Sequence, residues 1–278
     1  VYNLSDNHKL TVLDVFANDY IDYNYDQAKD EGDYYYGRTK VNTNAVGVNW
    51  RYIWGNSGYS NTSFAHNYSL NDNEYSEIVN KTVQLDNYSK EHLFSFRNVN
   101  YWKLSENYKL EFGVEAKYGM QDFNAHYAEY FDNSGNLIPE MSVIKDLETT
   151  KAGVFGVYHL QLAKKLTLSP GIRLDYFDYN KTTDISPRIS FMYKFDENTS
   201  LNGSAGRFYQ TIPGLFLAQS NAFNKLKTPY ADHYILGISH LLSENTRLTI
   251  EAYDKEYRNF PIDPIQPQFF VFDQAVET

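Results

Sequence analysis

The sequence predicts an all-β fold in which long antiparallel strands form part of a transmembrane β-barrel. Three observations predict it. Apolar and polar residues alternate over runs of about ten residues, which is the period of a strand with two unlike faces. Short turns alternate with long connections, and aromatic residues make up 17% of the sequence. Transmembrane barrels combine long tilted strands, short turns at one end, long loops at the other and aromatic girdles.

The composition of the 278 residues excludes several other classes. There is no cysteine, so we expect no disulfide framework, thiolate metal site or thiol nucleophile within them. The net charge of -10 argues against a nucleic-acid surface, which needs clustered lysine and arginine. The longest uncharged run, Tyr52–Asn71, is mostly Asn, Ser, Tyr and Gly, so no transmembrane helix is expected.

The strand pattern is clearest in two segments. From Leu110 to Tyr118 the apolar residues alternate with Glu, Gly and Lys. From Leu166 to Tyr176 they alternate with Thr, Ser, Gly, Arg and Asp. Such alternation gives a strand one apolar and one polar face. Shorter copies of the pattern begin at Ile189, Tyr234 and Leu248.

Short turns are marked by a recurring pattern of an acidic residue followed by asparagine. Asparagine suits tight reversals because it accepts positive φ and bonds nearby backbone. The four copies are Ser5–Leu10, Ser105–Leu110, Asp196–Leu201 and Ser243–Leu248. Two further short turns are predicted at Gly55–Gly58 and Ala163–Lys165.

Long loops are expected between these turns, with one strand on each side of every loop. This alternation gives eleven strands between Lys9 and Lys255. The expected loops are Tyr20–Lys40, Leu70–Glu91, Met120–Thr150, Asn180–Asp184 and Gln210–Ala231.

Period alone does not say whether the apolar face looks at lipid or at a dry core, because a soluble β-sandwich shows the same alternation. Strand length, the sorting of short and long connections, and the aromatic excess favour the membrane. Trp54, Trp102 and Phe195 stand where strands enter short turns, as interfacial aromatics do. The opposite face carries charged residues such as Glu115 and Lys117, which suit a watery or plugged lumen.

Three segments resemble the barrel of TonB-dependent receptors. They are Ser186-Pro187-Arg188 with the strand that follows, Gly206-Arg207-Phe208-Tyr209-Gln210, and Leu226–Gly237, in which Thr228-Pro229 replaces the family's Pro-Glu step. The match is good over Ile185–Asn259 and diffuse before it. The resemblance implies a 22-stranded barrel filled by an N-terminal plug and driven by an inner-membrane energy-transducing complex. The predicted strands are about 11–12 of those 22, with short periplasmic turns and long extracellular loops.

We therefore expect residues 1–278 to be part of one β-barrel domain, with the plug domain and the closing strands outside a processed or partial chain. The implied function is energy-coupled uptake of a scarce nutrient, such as a metal chelate, cofactor or glycan. The implied location is the outer membrane of a Gram-negative envelope. The implied partners are the lipid bilayer, the plug of the same polypeptide, a periplasmic energy-coupling protein acting through the plug, and a surface lipoprotein.

Two other classes stay open. An unplugged diffusion porin would need no coupling partner, and a soluble or surface β-protein would serve in adhesion or binding. Catalysis is not expected, since no G-x-S-x-G, H-E-x-x-H or phosphate-cradling glycine loop occurs. A Ser–His hydrolase on the wall is the remaining enzymatic alternative. No cofactor and no metal is assigned.

Two groups of residues are candidates for substrate binding. Tyr34, Tyr35 and Tyr36 could stack on an aromatic or sugar-like ligand at the barrel mouth, or pack their own loop. Arg207 and Tyr209 lie near the outer end of a strand, where arginine could bind an anionic group or pair with a wall carboxylate.

Two groups of carboxylates are candidate ion sites. The segment Asp19–Asp33 carries six carboxylates against Lys29, but its spacing does not match a calcium loop, and a solvated charge run is the alternative. Asp122, His126 and Glu129 would share a face only if their loop were helical.

Overall fold

The computed structural model describes residues 1–131, 135 and 137–261. They form one twelve-stranded antiparallel sheet, in which strands pair in chain order, and one small hairpin. The first half of the sheet is β1 (Tyr2–Ser5), β2 (His8–Tyr23), β3 (Tyr35–Ile53), β4 (Gly58–Glu77), β5 (Val83–Lys103) and β6 (Tyr108–Tyr127). The second half is β9 (Met141–Ala163), β10 (Leu166–Phe177), β11 (Thr182–Lys194), β12 (Thr199–Tyr209), β13 (Tyr230–Ser243) and β14 (Thr246–Arg258).

The remaining elements lie in the long connections. The hairpin consists of β7 (Tyr130–Phe131) and β8 (Leu137–Ile138), between β6 and β9. Helix α1 (Tyr25–Glu31) joins β2 to β3, and helix α2 (Gly214–Gln219) with a 3-10 turn (Asn221–Lys225) joins β12 to β13. No helix in the described ranges has both the length and the apolar content to cross a membrane.

The prediction of eleven long strands is confirmed for this part of the chain. Five strands from β2 to β6 and six from β9 to β14 make eleven, and the four-residue β1 pairs with β2 at the edge of the sheet. The strands β2 to β6 and β9 have 16 to 23 residues, far above the usual five or six. The edge strands β1 and β14 do not pair with each other, so the sheet is open among the described residues.

All six short turns occur where the sequence predicts them. Asp196 shows how one works, since its carboxylate accepts hydrogen bonds from the backbone N–H groups of Asn198 (2.8 Å) and Thr199 (2.7 Å). These bonds, the one from Asn198 first, hold the pKa of Asp196 below its usual range. Ser5 and Ser105 similarly accept from Asn7 and Asn107.

Three of the five expected loops were predicted much too long. The expected loop Leu70–Glu91 is mostly strand, because β4 continues to Glu77 and β5 begins at Val83. The loop Tyr20–Lys40 shrinks to residues 24–34, and Met120–Thr150 to residues 128–140. The apolar alternation ends early in these strands while backbone pairing continues, because a strand can carry polar residues on both faces where water bathes both. The other two connections, 178–181 and 210–229, lie close to the expected positions.

Register assigns every residue of the sheet to one of two faces, because residues directly opposite in antiparallel strands point to the same side. Phe112 and Ile172 both lie opposite Gly156, and Leu168 follows on the same side. We call this side the apolar face. Its members are not buried in a core: Ile172 is 52% exposed and Val114 42%.

The other side, here called the polar face, carries charged and small residues at the same height. Glu115 lies opposite Gly153, which lies opposite Asp175. Lys117 and Arg173 share this face. The sheet is thus apolar on one side and charged on the other, as the alternation predicts.

Aromatic residues mark two levels of the apolar face. Trp54, Trp102 and Phe195 stand at the short turns, as predicted. A second level lies about ten residues further along the strands and consists of Tyr68, Tyr118, Tyr176 and Tyr234. Ten residues rise about 34 Å along a strand, or about 26 Å at a tilt of ~40°, which matches the ~25 Å apolar band of a membrane barrel.

Candidate functional site

The polar face carries an ion-pair network at mid-height. Glu115 on β6 contacts Lys117 of the same strand (Oε1 to Nζ, 3.0 Å) and Arg173 on β10 (Oε2 to Nη2, 3.2 Å). Arg173 also binds Asp175, with Nη2 2.6 Å and Nε 2.7 Å from carboxylate oxygens. Because charge alternates within the network, each charged group has an opposite neighbour.

Glycine in the intervening strand makes this network possible. Gly153 on β9 lies between Glu115 and Asp175 in the register. A Cβ atom at Gly153 would be 2.5 Å from Asp175 Oδ1 and 2.8 Å from Arg173 Nη2. The two side chains therefore lie across the bare backbone of β9, which lets β10 reach β6.

The connection 210–229 folds back over the polar face at the end opposite the short turns. Ile212 and Leu217 are buried there together with Phe123 on β6 and Val143 and Leu147 on β9. This is the largest apolar cluster in the described part of the chain, and it lies beyond the charged stretch of the same face. An apolar lining thus begins where the charged lining ends.

Polar contacts fix the same connection at several points. Tyr179 donates its hydroxyl to the carbonyl of Leu217 (2.9 Å), and burial raises the pKa of Tyr179. Lys145 donates to Asn221 (2.7 Å), and Lys151 donates to the hydroxyl of Thr211. The connection starts at β12 yet contacts β9 and β6, so it covers several strands at the end opposite the short turns.

A cavity of about 180 Å³ opens on the polar face between β9 and β13. Its lining includes His159, Ser169, Arg188, Phe208 and His233. The Arg188 guanidinium lies 5.6 Å from the Phe208 ring centroid, and its buried Nε has no hydrogen-bond partner among the described residues. A guanidinium in this position is suited to an anionic group.

The structure does not bring Tyr34, Tyr35 and Tyr36 together on one platform. Tyr34 is 80% exposed and precedes β3. Tyr35 and Tyr36 are consecutive strand residues and therefore point to opposite faces. The Tyr36 ring packs edge-on against Tyr25 of α1 at 5.2 Å. Ligand contact by these tyrosines stays a prediction, with Tyr34 and Tyr35 the more accessible rings.

Arg207 and Tyr209 lie on the apolar face, near its second aromatic level and away from the short turns. Both alternate with Ala205 along β12 and so point to the same face as Ala205. Arg207 binds both carboxylate oxygens of Asp232 at 2.8 Å. The Arg207 guanidinium also lies 4.2 Å from the Tyr230 ring centroid, and Tyr209 contacts the same ring. Arg207 is thus already paired with a wall carboxylate, and substrate contact by Arg207 and Tyr209 stays a prediction.

The acidic segment Asp19–Asp33 forms the end of β2, helix α1 and its cap. Asn24 caps the helix by accepting from the backbone N–H of Gln27 (3.0 Å), and Gly32 ends it in a left-handed conformation (φ 78°). Among the residues the structure covers, no group of three or more His, Asp or Glu side chains could hold a metal ion. Asp122 and His126 lie in strand β6, so the helical arrangement considered for them does not form.

The strand pattern of the sequence does not predict the inward-folded connection or the Arg188 cavity. Two signals could have indicated them. The run Ile212-Pro213-Gly214-Leu215-Phe216 is too apolar for a solvated loop. Strict alternation from Ile189 also places Arg188 on the polar face, opposite Gly171 and opposite Gly206, which lines the cavity.

Comparisons with known proteins agree with this architecture. A family model described as TonB dependent receptor-like, beta-barrel matches residues 2–274. No curated protein matches the chain at a significant level.

Solved structures show the same fold. A mutant of the ferric enterobactin receptor PfeA from Pseudomonas aeruginosa matches with a TM-score of 0.69 at 14% identity over 94% of this chain and 42% of that one. The siderophore receptor PiuA from Acinetobacter baumannii gives 0.69 at 15% identity, over 95% and 50%. The outer membrane transporter YddB from Escherichia coli gives 0.65 at 13% identity, over 94% and 40%. The chain thus spans half or less of the solved chains that it resembles.

Proposed function

The chain belongs to the TonB-dependent receptor β-barrel family, and from this premise we propose that it forms about half the wall of an outer-membrane receptor for energy-coupled nutrient uptake. In this proposal the short turns face the periplasm and the long connections face the cell exterior. The parent polypeptide would supply a plug and the remaining strands. A periplasmic energy-coupling protein would act through that plug.

The single observation that carries the proposal is the placement of the two faces. The apolar face is exposed between two aromatic levels, and the charged residues lie on the opposite side. Lipid offers no hydrogen-bond partners, so a spanning sheet must present apolar side chains to it and close on itself. The polar face then lines the lumen, where Arg173, Glu115 and the Arg188 cavity would meet water, plug or cargo.

The inward-folded connection 210–229 supports a receptor rather than an open pore. It narrows the lumen at its exterior end. It is held there by a buried apolar cluster and by hydrogen bonds from Tyr179, Lys145 and Lys151. A ligand captured at the mouth would therefore meet a structured surface before it reached the charged wall.

We propose a metal chelate as the first cargo to test, with a cofactor or a glycan as the others. The relatives named as ferric enterobactin and siderophore receptors favour this order. Tyr34 and Tyr35 would supply exposed rings at the mouth. Arg207 and Tyr209, turned to the apolar face, would contact cargo only above the wall, and a surface lipoprotein remains a candidate partner there.

The test uses the full-length parent protein in cells that lack other receptors for the assayed nutrients. Uptake of labelled ferric chelates, corrinoid cofactors and oligosaccharides is measured with and without the energy-coupling protein. Saturable uptake that is lost without the coupling protein is expected. Uptake that persists without it would favour a diffusion porin, and recovery of the parent without detergent would favour a soluble binding protein.

A further inference from the structure

One sector of the apolar face differs from most of the rest, where His240 on β13, bonded to Thr199, is an exception. On β6, β9, β10, β11 and β12, the positions two to six residues from the short turns hold apolar residues, glycine, proline or tyrosine. On β4 and β5, and at Asp14 of β2, the same heights hold side chains that form hydrogen bonds, whereas β2 and β3 otherwise carry Leu10, Val12, Val48 and Trp50 there. We call the hydrogen-bonding side chains, together with the donor Asn44, the polar sector: Asp14, Asn44, Ser60, Thr62, Asn98 and Asn100.

Register places this sector firmly on the apolar face. Asn100 lies opposite Phe112, and Asn98 lies opposite Val114. On the other side, Asn100 faces Ser60 and Asn98 faces Thr62. These amides and hydroxyls therefore stand in the same row as the exposed belt of β6, and not in the lumen.

The sector is organised by a chain of hydrogen bonds. Trp54 Nε1 donates to Ser60 Oγ (3.0 Å), which donates to Asn100 Oδ1 (2.7 Å). Asn100 Nδ2 donates to Asn98 Oδ1 (2.6 Å), and Asn98 Nδ2 donates to Thr62 Oγ1 (2.8 Å). The side chains are thus held in defined positions on the surface of the sheet.

The polar sector also contains a carboxylate, that of Asp14, on the apolar face. Asp14 lies six residues above the start of β2, near the middle of the belt, and accepts one hydrogen bond from Asn44 Nδ2 (2.7 Å). An amide carries two N–H donors and an oxygen with two acceptor sites, so Asn98 retains one donor and one acceptor site. The Nδ2 groups of Asn100 and Asn44 also donate to the carbonyls of Phe112 (3.5 Å) and Val15 (3.4 Å), so these two amides retain acceptor sites only. Acyl chains cannot use that capacity, and ionisable groups inside a membrane usually face protein or water.

We propose that the polar sector is the contact between two copies of the receptor within the membrane. Amides donate and accept at once, so the same patch is complementary to itself across a two-fold axis, and closed two-fold pairs are the commonest symmetric assemblies. Phe64 and Phe96, opposite each other on the same face, would pack around the bonded centre. The proposal rests on the proposed membrane position.

Single cysteines test the proposal, because these 278 residues contain none. Asn98→Cys is introduced into the full-length parent, with any cysteine elsewhere replaced by serine, and outer membranes are oxidised. Ile189→Cys is the matched control, since it stands five residues from its short turn on the apolar face, as Asn98 does. We expect at least a tenfold excess of the disulfide-linked dimer for Asn98→Cys over Ile189→Cys.

A second variant separates a dimer contact from lipid contact. Asn98→Leu with Asn100→Leu and Thr62→Val removes the bonding groups, and native mass spectrometry in detergent reports the oligomer. Loss of a dimer present in the parent, with the folded band retained on unheated gels, supports the proposal.

Three results would overturn it: equal cross-linking at both cysteines, a cross-link to another protein only, or an unchanged monomer that the apolar variant merely stabilises. Membrane extraction of the parent distinguishes these failures from failure of the proposed function, since only the latter would release the parent into the soluble fraction.

Discussion

Arg173 on β10 reaches Glu115 on β6 across an intervening strand, with Nη2 3.2 Å from Oε2. The path is open because position 153 on β9 is glycine. Residues two strands apart are thereby joined on the lumen side by charge rather than by backbone pairing.

Replacing Gly153 by valine should destabilise the barrel by about 1–3 kcal/mol, the usual cost of forcing extra atoms into a packed site. The new side chain would displace Asp175 and Arg173 and leave Glu115 with Lys117 alone. The control is Gly156→Ala, where the nearest atom to an added Cβ is 3.9 Å away. Thermal unfolding of the refolded parent, followed on gels, should separate the two variants; equal midpoints would contradict the role of Gly153.

Ile189→Arg should cost about 2–4 kcal/mol, the range found for arginine at the lipid-facing midplane of barrels. Ser190→Arg, on the next residue, should cost much less because its side chain enters the lumen. Both positions are exposed in the structure, so simple burial does not distinguish them. The measurement is the denaturant midpoint in lipid vesicles, and a larger loss for Ser190→Arg would reverse the assignment of the two faces.

Leu217→Ala should release the connection 210–229 from the polar face. Leu217 is 3% exposed within the apolar cluster, and such truncations cost about 2–5 kcal/mol. We expect faster trypsin cleavage at Lys225 and Lys227 while the barrel stays folded. Gln219→Ala on the same helix is the control and should cleave at the parental rate; unchanged cleavage in Leu217→Ala would show that the cluster does not anchor the connection.

Tyr34→Ala and Tyr35→Ala should weaken cargo binding by about tenfold each, a loss of ~1.4 kcal/mol in keeping with an aromatic contact. Tyr36→Ala should act differently, because the Tyr36 ring packs against Tyr25 and is expected to support α1. Isothermal titration of the parent with its cargo measures affinity, and circular dichroism melting measures fold stability. Parental affinity in both Tyr34→Ala and Tyr35→Ala would remove the mouth tyrosines from the binding site.

Asp196 should make the stability of its turn depend on pH. Its pKa is lowered in the folded protein by the N–H groups of Asn198 and Thr199, so the unfolded chain takes up its proton first as pH falls. The stabilisation is therefore complete above the ordinary pKa of about 3.9 and disappears as pH falls through the lower folded value. Asp196→Asn should remove this acid-dependent part of the unfolding midpoint, and Glu197→Gln should retain it.

The period-two pattern was sufficient to predict the strands, their number and the short turns, because a spanning strand must alternate wherever it meets lipid on one side and water on the other. The pattern failed beyond the second aromatic level, in the strand ends far from the short turns. Asn71, Asp72 and Asn73 continue β4 without any apolar alternation, so polar composition was mistaken for a loop. The site was harder still, since the burial of Leu217 in one cluster with Phe123 depends on how the connection folds back over the sheet.

Residue roles depended on face, and face depended on register. Phe208 follows Arg207 directly in the sequence. The two alternating sets of residues to which they belong each contain both polar and aromatic side chains. Pairing with Asp232 places Arg207 on the apolar face, while the Phe208 ring packs at a tilt against His233 on the lumen side. No local pattern distinguishes these positions, because their assignment is inherited from strands further along the sheet.

The five-residue connection between β4 and β5 has a practical consequence for cell-surface engineering. β4 continues for nineteen residues after Gly58, about nine beyond the tyrosine level, so in the proposed membrane position its tip stands roughly 25 Å above the hydrocarbon. A peptide tag inserted between Asn80 and Lys81 would be held by the paired ends of β4 and β5 and not by a flexible loop. Antibodies or phage should reach such a tag on intact cells through the surrounding carbohydrate coat.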